Sequence, residues 1–125
     1  MLVEVNCETD FVARTEDFQE LAKDIALQVA STSPLSVDEE GVPQDQLERE
    51  RKIIEAQVAE SGKPEAVREK MVEGKLKKYL KEKVLLDQPF VKDDSRTVGQ
   101  LVQDVSAKVG ENVVVRRFQR FEIGD

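Results

Sequence analysis

Residues 2–14 read Leu-Val-Glu-Val-Asn-Cys-Glu-Thr-Asp-Phe-Val-Ala-Arg, and they join a strand pattern to the start of a helical one. The odd-numbered residues Val3, Val5 and Cys7 are apolar and alternate with polar ones, which is typical of a strand buried on one face. The alternation stops at residues 8–11, and a helical pattern begins near Thr15. The sequence therefore predicts a strand, a short link and a helix, with Cys7 a buried, unreactive thiol.

The link contains Phe11, and the residues around it leave two interpretations open. Most phenylalanine side chains are buried, so composition alone favours a place for this ring in the core, beneath the following helix. The neighbouring carboxylate of Asp10 would need a partner beside a buried ring, which favours an exposed contact residue instead.

Composition predicts a globular protein without a membrane segment. The chain has 125 residues, of which 39% are hydrophobic and 36% charged, and this length suits one domain over residues 1–125. No apolar run approaches the ~20 residues of a membrane span, and no segment resembles a signal peptide. One cysteine allows no internal disulfide, so we expect a cytoplasmic protein.

The absence of histidine from the sequence argues against an enzyme. It removes the usual general base, the Ser-His and Cys-His nucleophile pairs, and the commonest metal ligand. The six glycines are too scattered for a phosphate-binding loop. Glu8 and Asp10 together fall well short of the six to eight oxygens that calcium takes. We expect a binding protein with no catalytic residues, no cofactor and no metal site.

The remaining sequence predicts four helices followed by a strand. The helices are expected at about 16–30, 44–59, 64–84 and 98–109, and the strand at 112–123. Residues 85–91 are expected to be an extended connector before a turn at 92–95. Three capping signals support these limits: Thr15, the capping box of Thr97 and Gln100, and Gly110.

The predicted fold class is α+β, with a small antiparallel sheet covered on one face by about four helices. Residues 1–14 supply a strand and the link, residues 15–110 the helical region, and residues 111–124 the C-terminal strand. Phe118 and Phe121 have opposite parity, so both face the core only if that strand bulges or bends between them. Two strands make a poor sheet alone, so we expect another segment or a second copy to add a strand.

Charge is unevenly distributed along the chain, whose net charge is −7. Residues 36–60 are mainly acidic and residues 67–83 mainly basic, which indicates two solvated helix faces, with a polar interaction surface as the alternative. Residues 116–121, Arg-Arg-Phe-Gln-Arg-Phe, offer a nucleic-acid-binding strip as a remote alternative. Strand alternation would separate the adjacent arginines, and the chain is acidic, so we expect no nucleic-acid partner.

Residues 2–14 and three later blocks together resemble the elongation factor Ts family. The later blocks follow in the family's order: Gly-Lys-Leu-Lys-Lys-Tyr-Leu at 74–80, Leu-Leu-Asp-Gln-Pro-Phe-Val at 85–91 and Gly-Glu-Asn-Val-Val-Val-Arg-Arg-Phe at 110–118. The resemblance covers nearly all of the chain and rests on four ordered blocks.

This resemblance implies a guanine-nucleotide exchange factor of bacterial translation whose partner is the GTPase elongation factor Tu. In the family, the motif that stands here as Thr9, Asp10, Phe11 and Val12 enters the partner's nucleotide-binding domain. Its aromatic ring disturbs the contacts between Mg²⁺ and phosphate, which promotes release of GDP.

The chain also departs from the family pattern at its start. Members normally begin with a small helical domain, a connecting region and a first strand, whereas Met1 here directly precedes the equivalent of the second strand. We therefore expect a core or dimerisation domain that lacks the N-terminal helical domain. A homodimer through the sheet, and a scaffold fragment without exchange activity, remain alternatives at this stage.

Overall fold

The two ends of the chain pair with each other in the computed structural model, which describes residues 1–124. Strand β1 (Leu2–Asn6) runs antiparallel to strand β4 (Val114–Gln119). Val3 lies opposite Phe118 and Val5 lies opposite Val115, so the apolar faces of both strands coincide. The predicted pairing of the terminal strands is confirmed.

A β-bulge interrupts β4 at Arg116. The register shifts between Glu4, opposite Arg117, and Val5, opposite Val115, which leaves Arg116 as the extra residue. The extra residue reverses parity, so Val115 and Phe118 both face the core. Phe118 and Phe121 do not both face the core, because β4 ends at Gln119 and the ring of Phe121 is exposed.

Within residues 1–124, five α-helices follow β1, and four of them match the predicted positions closely. They are α1 (Asp10–Ala13), α2 (Glu16–Thr32), α3 (Gln44–Ala59), α4 (Glu65–Lys83) and α5 (Val98–Val109). The predicted caps are confirmed: Thr15 caps α2, Thr97 and Gln100 form a capping box, and Gly110 ends α5 with φ 71°. The sequence did not predict α1, which is too short to show a periodic pattern.

The expected extended connector at 85–91 is wrong at its start and confirmed from Gln88 to Phe90. Residues Leu85–Asp87 form a 3-10 turn, and Pro89–Phe90 form strand β2, which pairs antiparallel with β3 (Asp93–Thr97). β3 begins with the polar run Asp-Asp-Ser, which resembles a turn and carries no strand alternation. Pairing with β2, rather than the pattern of β3 itself, makes this segment extended.

The main hydrophobic core lies between the sheet and two of the long helices. α2 contributes Leu21, Ile25 and Val29, α5 contributes Val98 and Leu101, and β4 contributes Val115. The α+β class with a small antiparallel sheet is thus confirmed. None of the helices within residues 1–124 is both long and apolar enough to cross a membrane.

Helices α3 and α4 pack on each other around a second, smaller core. Ile54 and Val58 of α3 meet Val72 and Leu76 of α4. Of the valines in α4, Val67 is exposed and Val72 is buried. α4 needs only a narrow stripe because its buried contacts in this core come from one neighbouring helix.

A buried amide network joins α2 to the segment that contains β2. The side chain of Gln28 is fully buried; its Nε2 donates to Gln88 Oε1 at 3.0 Å and to the Pro89 carbonyl at 3.1 Å. Its Oε1 accepts from the backbone N–H of Val91 at 2.9 Å. Every polar atom of this amide is therefore paired, which offsets the cost of burying it.

We expect Gln28→Leu to lower the free energy of unfolding by about 2–4 kcal/mol, because it removes three hydrogen bonds of a fully buried side chain, one of them to the buried Gln88. Urea denaturation followed by circular dichroism measures this. Gln19→Leu on the exposed face of the same helix is the matched control, with an expected change within about 0.5 kcal/mol. Equal effects of the two substitutions would contradict a stabilising network.

Candidate functional site

The link between β1 and α2 is the one-turn helix α1, whose conformation is set by two threonine caps. Thr9 is extended, with φ −131° and ψ 154°, and its Oγ1 accepts from the Val12 N–H at 3.3 Å. Thr15 caps α2 and donates its hydroxyl to the Val12 carbonyl at 2.7 Å. The backbone of Val12 is thus held from both sides, and the turn has a defined shape.

The two apolar residues of α1 lie on opposite sides of the turn. The side chain of Phe11 is 81% exposed, whereas Val12 is only 8% exposed and belongs to the main core. Successive helical residues are about 100° apart, so both cannot face the core from one turn. The interpretation of Phe11 as a core residue is therefore wrong, and Val12 occupies the core position instead.

The remaining motif residues, Thr9 and Asp10, are exposed beside the ring. Asp10 pairs with Arg14 at 3.1 Å, with both side chains largely in solvent, so this ion pair adds little to stability. The structure therefore presents Thr9, Asp10 and Phe11 together at the surface. Val12 supports them from beneath and offers no exposed contact of its own.

Two glutamates that the sequence analysis gave no role hold the start of this motif. Glu111 Oε1 accepts from the backbone N–H groups of Glu8 at 3.1 Å and Thr9 at 3.0 Å. Glu111 Oε2 accepts from the Thr9 hydroxyl at 2.6 Å, and Glu8 Oε2 accepts from the Asn112 N–H at 2.8 Å. Only a weak sequence signal marks Glu111 as a functional residue. It follows Gly110, which ends α5, and lies in the block at 110–118 that resembles the family.

Cys7 lies at the end of β1, just before the motif. Its side chain is half-buried against the main core, and its Sγ donates to the Thr9 carbonyl at 3.2 Å. The expected inward direction of this thiol is confirmed, although its burial is only partial.

The arginines of β4 contact a carboxylate of β1 on the outer face of the sheet. Arg117 Nε lies 2.9 Å from Glu4 Oε1, and Arg116 Nε lies 3.5 Å from Glu4 Oε2. A hydrogen bond from Asn6, followed by that from Arg117, lowers the pKa of Glu4. The expected separation of the two arginines is wrong, because the bulge at Arg116 lets both reach one side chain.

These contacts weaken the case for a nucleic-acid strip at residues 116–121. Glu4 already engages two of its arginines, and Arg120 lies 2.8 Å from Glu122. Phe118 is partly buried and packs against the main core. Among residues 1–124, no group of three or more cysteine or acidic side chains is placed to hold a metal ion.

Comparison with known proteins decides the family to which this fold and this motif belong. A family model described as "Elongation factor TS" matches residues 19–125, which is most of the chain. The chain belongs to the elongation factor Ts family. The resemblance drawn from the four sequence blocks is confirmed.

Curated elongation factor Ts proteins also cover the Thr9–Val12 motif, which precedes the matched family model. The protein from Rubrobacter xylanophilus is 58% identical over 123 residues, 98% of this chain and 63% of its own length. That from Desulforamulus reducens is 54% identical over 125 residues, 100% of this chain and 58% of its own length. The chain thus spans about three-fifths of the length of these elongation factor Ts relatives.

Burial predicts a large stability effect for substitution of Val12 and a small one for substitution of Phe11. We expect Val12→Ala to lower the free energy of unfolding by about 1.5–3 kcal/mol, because it leaves a cavity in the main core. Phe11→Ala should change it by less than about 0.5 kcal/mol, although a larger side chain is removed. Urea denaturation of both variants measures the order; a larger loss for Phe11→Ala would show that the ring is packed.

Proposed function

We propose that this chain is the core, dimerisation-type domain of a cytoplasmic translation elongation factor that promotes GDP release from elongation factor Tu. The proposal combines membership of the elongation factor Ts family with the motif Thr9–Val12, whose first three residues are exposed and whose Val12 anchors them in the core. The chain acts by binding and performs no covalent chemistry. The Mg²⁺ and the nucleotide belong to the partner GTPase.

The observation that carries the proposal is the exposure of Phe11 on a turn whose next residue is anchored in the core. A large aromatic ring left in water gives up burial free energy that a partner pocket restores. Because Val12 and the two threonine caps fix the backbone, little conformational freedom is left to lose when the ring is bound. Such rigid aromatic anchors are typical hot spots of protein interfaces.

The proposed mechanism is displacement of groups around the partner's Mg²⁺ by the ring of Phe11. Mg²⁺ demands near-ideal octahedral geometry, so a small displacement of its neighbours weakens the metal–phosphate contacts. Thr9 shapes the turn, Asp10 lies beside the ring, and Val12 holds the turn on the core. By linkage, a protein that binds the nucleotide-free GTPase more tightly lowers its affinity for GDP by the same factor.

We expect Phe11→Ala to reduce the stimulated rate of GDP release at least about tenfold, because hot-spot rings contribute about 2 kcal/mol or more. Stopped-flow fluorescence of a labelled GDP bound to elongation factor Tu measures that rate. Phe121→Ala is the matched control, since it removes a ring that is 71% exposed outside the motif. Its rate should stay near that of the unchanged chain.

Two outcomes of this experiment would contradict the proposed role of the ring. One is unchanged GDP release by Phe11→Ala, with unchanged circular dichroism. The other is an equal loss in Phe121→Ala, which would indicate a general need for exposed aromatic surface. A chain that fails to stimulate release at any concentration would refute exchange activity for this segment of the protein.

A scaffold role through the sheet is the second candidate function. Within residues 1–124, β1 and β4 pair only with each other, so the far edge of each strand has unpaired backbone groups. Leu2 and Val114 are exposed on the outer face of this sheet. Sedimentation velocity over a range of concentrations tests association. A stable dimer that does not stimulate GDP release would favour the scaffold.

A further inference from the structure

We propose that Glu111 is a positioning residue that sets the direction of Phe11 through the cap of α1. This inference rests on the proposed function, because the orientation of the ring matters only if the ring binds a partner. Glu111 follows the last residues of α5, about a hundred positions from the motif, and its carboxylate is hydrogen-bonded to Glu8 and Thr9. Its effect passes through the backbone and hydroxyl of Thr9.

The carboxylate of Glu111 accepts three hydrogen bonds from two adjacent residues at the start of the motif. Oε1 receives the N–H groups of Glu8 and Thr9, and Oε2 receives the Thr9 hydroxyl at 2.6 Å. Bonds to an ionised acceptor are shorter and stronger than neutral ones. Together they fix the last peptide before α1 and the side-chain rotamer of its cap.

The bond to Oε2 also decides which way the Thr9 hydroxyl points. A hydroxyl has one proton to donate, and here that proton goes to Glu111. The oxygen lone pairs are then free to accept from the Val12 N–H, which is the capping bond of α1. Glu111 thereby holds Thr9 in its role as acceptor for the helix.

The loop that carries Glu111 is itself held in place. Ser106 of α5 donates to the Glu111 carbonyl and accepts from the Val113 N–H at 3.3 Å. Glu8 completes a reciprocal pair by accepting from the Asn112 N–H at 2.8 Å. The motif is therefore attached to α5 and β4, which belong to the main core.

Helix α1 needs this attachment because four residues do not make a stable helix alone. Val12 anchors the turn at one point, and the Asp10–Arg14 ion pair is solvent-exposed and weak. The Thr15 hydroxyl also holds the Val12 carbonyl, so these contacts fix the C-terminal side of the turn and not its first residue, Thr9. Without support at Thr9 the start of the turn moves and carries the ring of Phe11 with it. The Glu111 contacts supply the second fixed point.

The first test follows the free chain by amide hydrogen exchange, measured by NMR. We expect Glu111→Ala to speed exchange of the Thr9 and Val12 amides about tenfold or more. The Thr9 N–H loses its acceptor, and the Val12 N–H is left with an acceptor, Thr9 Oγ1, that Glu111 no longer orients. Glu48→Ala, an exposed glutamate on α3, is the matched control and should leave these amides unchanged. Unchanged Thr9 and Val12 exchange in Glu111→Ala would overturn the proposal.

Glu111→Gln keeps the volume of the side chain and guards against general unfolding as the cause. Its amide oxygen still accepts the two backbone N–H groups, but its NH₂ cannot accept the Thr9 hydroxyl proton. We expect the Val12 amide to exchange faster while the Thr9 amide stays protected. Equal effects on both amides would contradict the proposal that Glu111 orients the Thr9 hydroxyl.

The second test is a double-mutant cycle on GDP release from elongation factor Tu. At saturating concentration, Glu111→Ala should slow stimulated release about tenfold, with a smaller change in the half-saturating concentration. In a Phe11→Ala background the same substitution should have no further effect, because Glu111 acts only through the ring. An equal loss in both backgrounds would overturn the positioning role.

The two tests separate failure of this inference from failure of the proposed function. If the unchanged chain does not stimulate GDP release, the exchange function is refuted, and amide exchange still decides whether Glu111 orders the motif. If the chain is active and the cycle shows no coupling between Glu111 and Phe11, the function stands and the positioning role is refuted.

Discussion

The antiparallel pairing of β1 with β4 is the constraint on which the rest of the structure depends. It joins residues at opposite ends of the chain, and it aligns Val3 and Val5 with Phe118 and Val115 over α2. The same pairing brings the end of α5 beside the end of β1, so the Glu8 and Glu111 segments meet. The core and the conformation of the motif thus share one origin.

Phe11 is exposed because only one of the two neighbouring apolar residues at this junction can face the core. A single helical turn faces the core with one of them, and the smaller, β-branched Val12 fills that position. The larger ring is left in solvent, where it adds little to stability and remains accessible. Val12 therefore contributes to stability and Phe11 to the proposed function. Substitutions at these two adjacent positions test the two properties separately.

Helices α3 and α4 form a unit in which backbone hydrogen bonds join the segment after α2 to the end of α4 and the residues that follow it. The Leu35 N–H donates to the Lys83 carbonyl at 2.8 Å, and the Leu85 N–H donates to the Ser36 carbonyl at 2.9 Å. The unit keeps its own small core, and Arg51 of α3 lies 3.5 Å from Glu73 of α4. The acidic and basic runs of the sequence thus lie on helices that pack together. The motif receives its support elsewhere, from α2, α5 and the sheet.

Local signals in the sequence were sufficient for the four long helices and their caps, because Thr15, Thr97 and Gly110 act on backbone groups within about four residues. Local patterns were also sufficient to predict strand β1, from its alternation, and the motif Thr9–Val12, from its resemblance to the family. Tertiary structure alone decided three features: that β3 is a strand, that the bulge falls at Arg116, and that Phe11 is exposed above a cap held by Glu111. Each depends on a partner segment that the local pattern does not specify, and for Glu111 that partner is about a hundred residues away. Hydrogen bonds and burial over such distances exist only once the chain ends have paired.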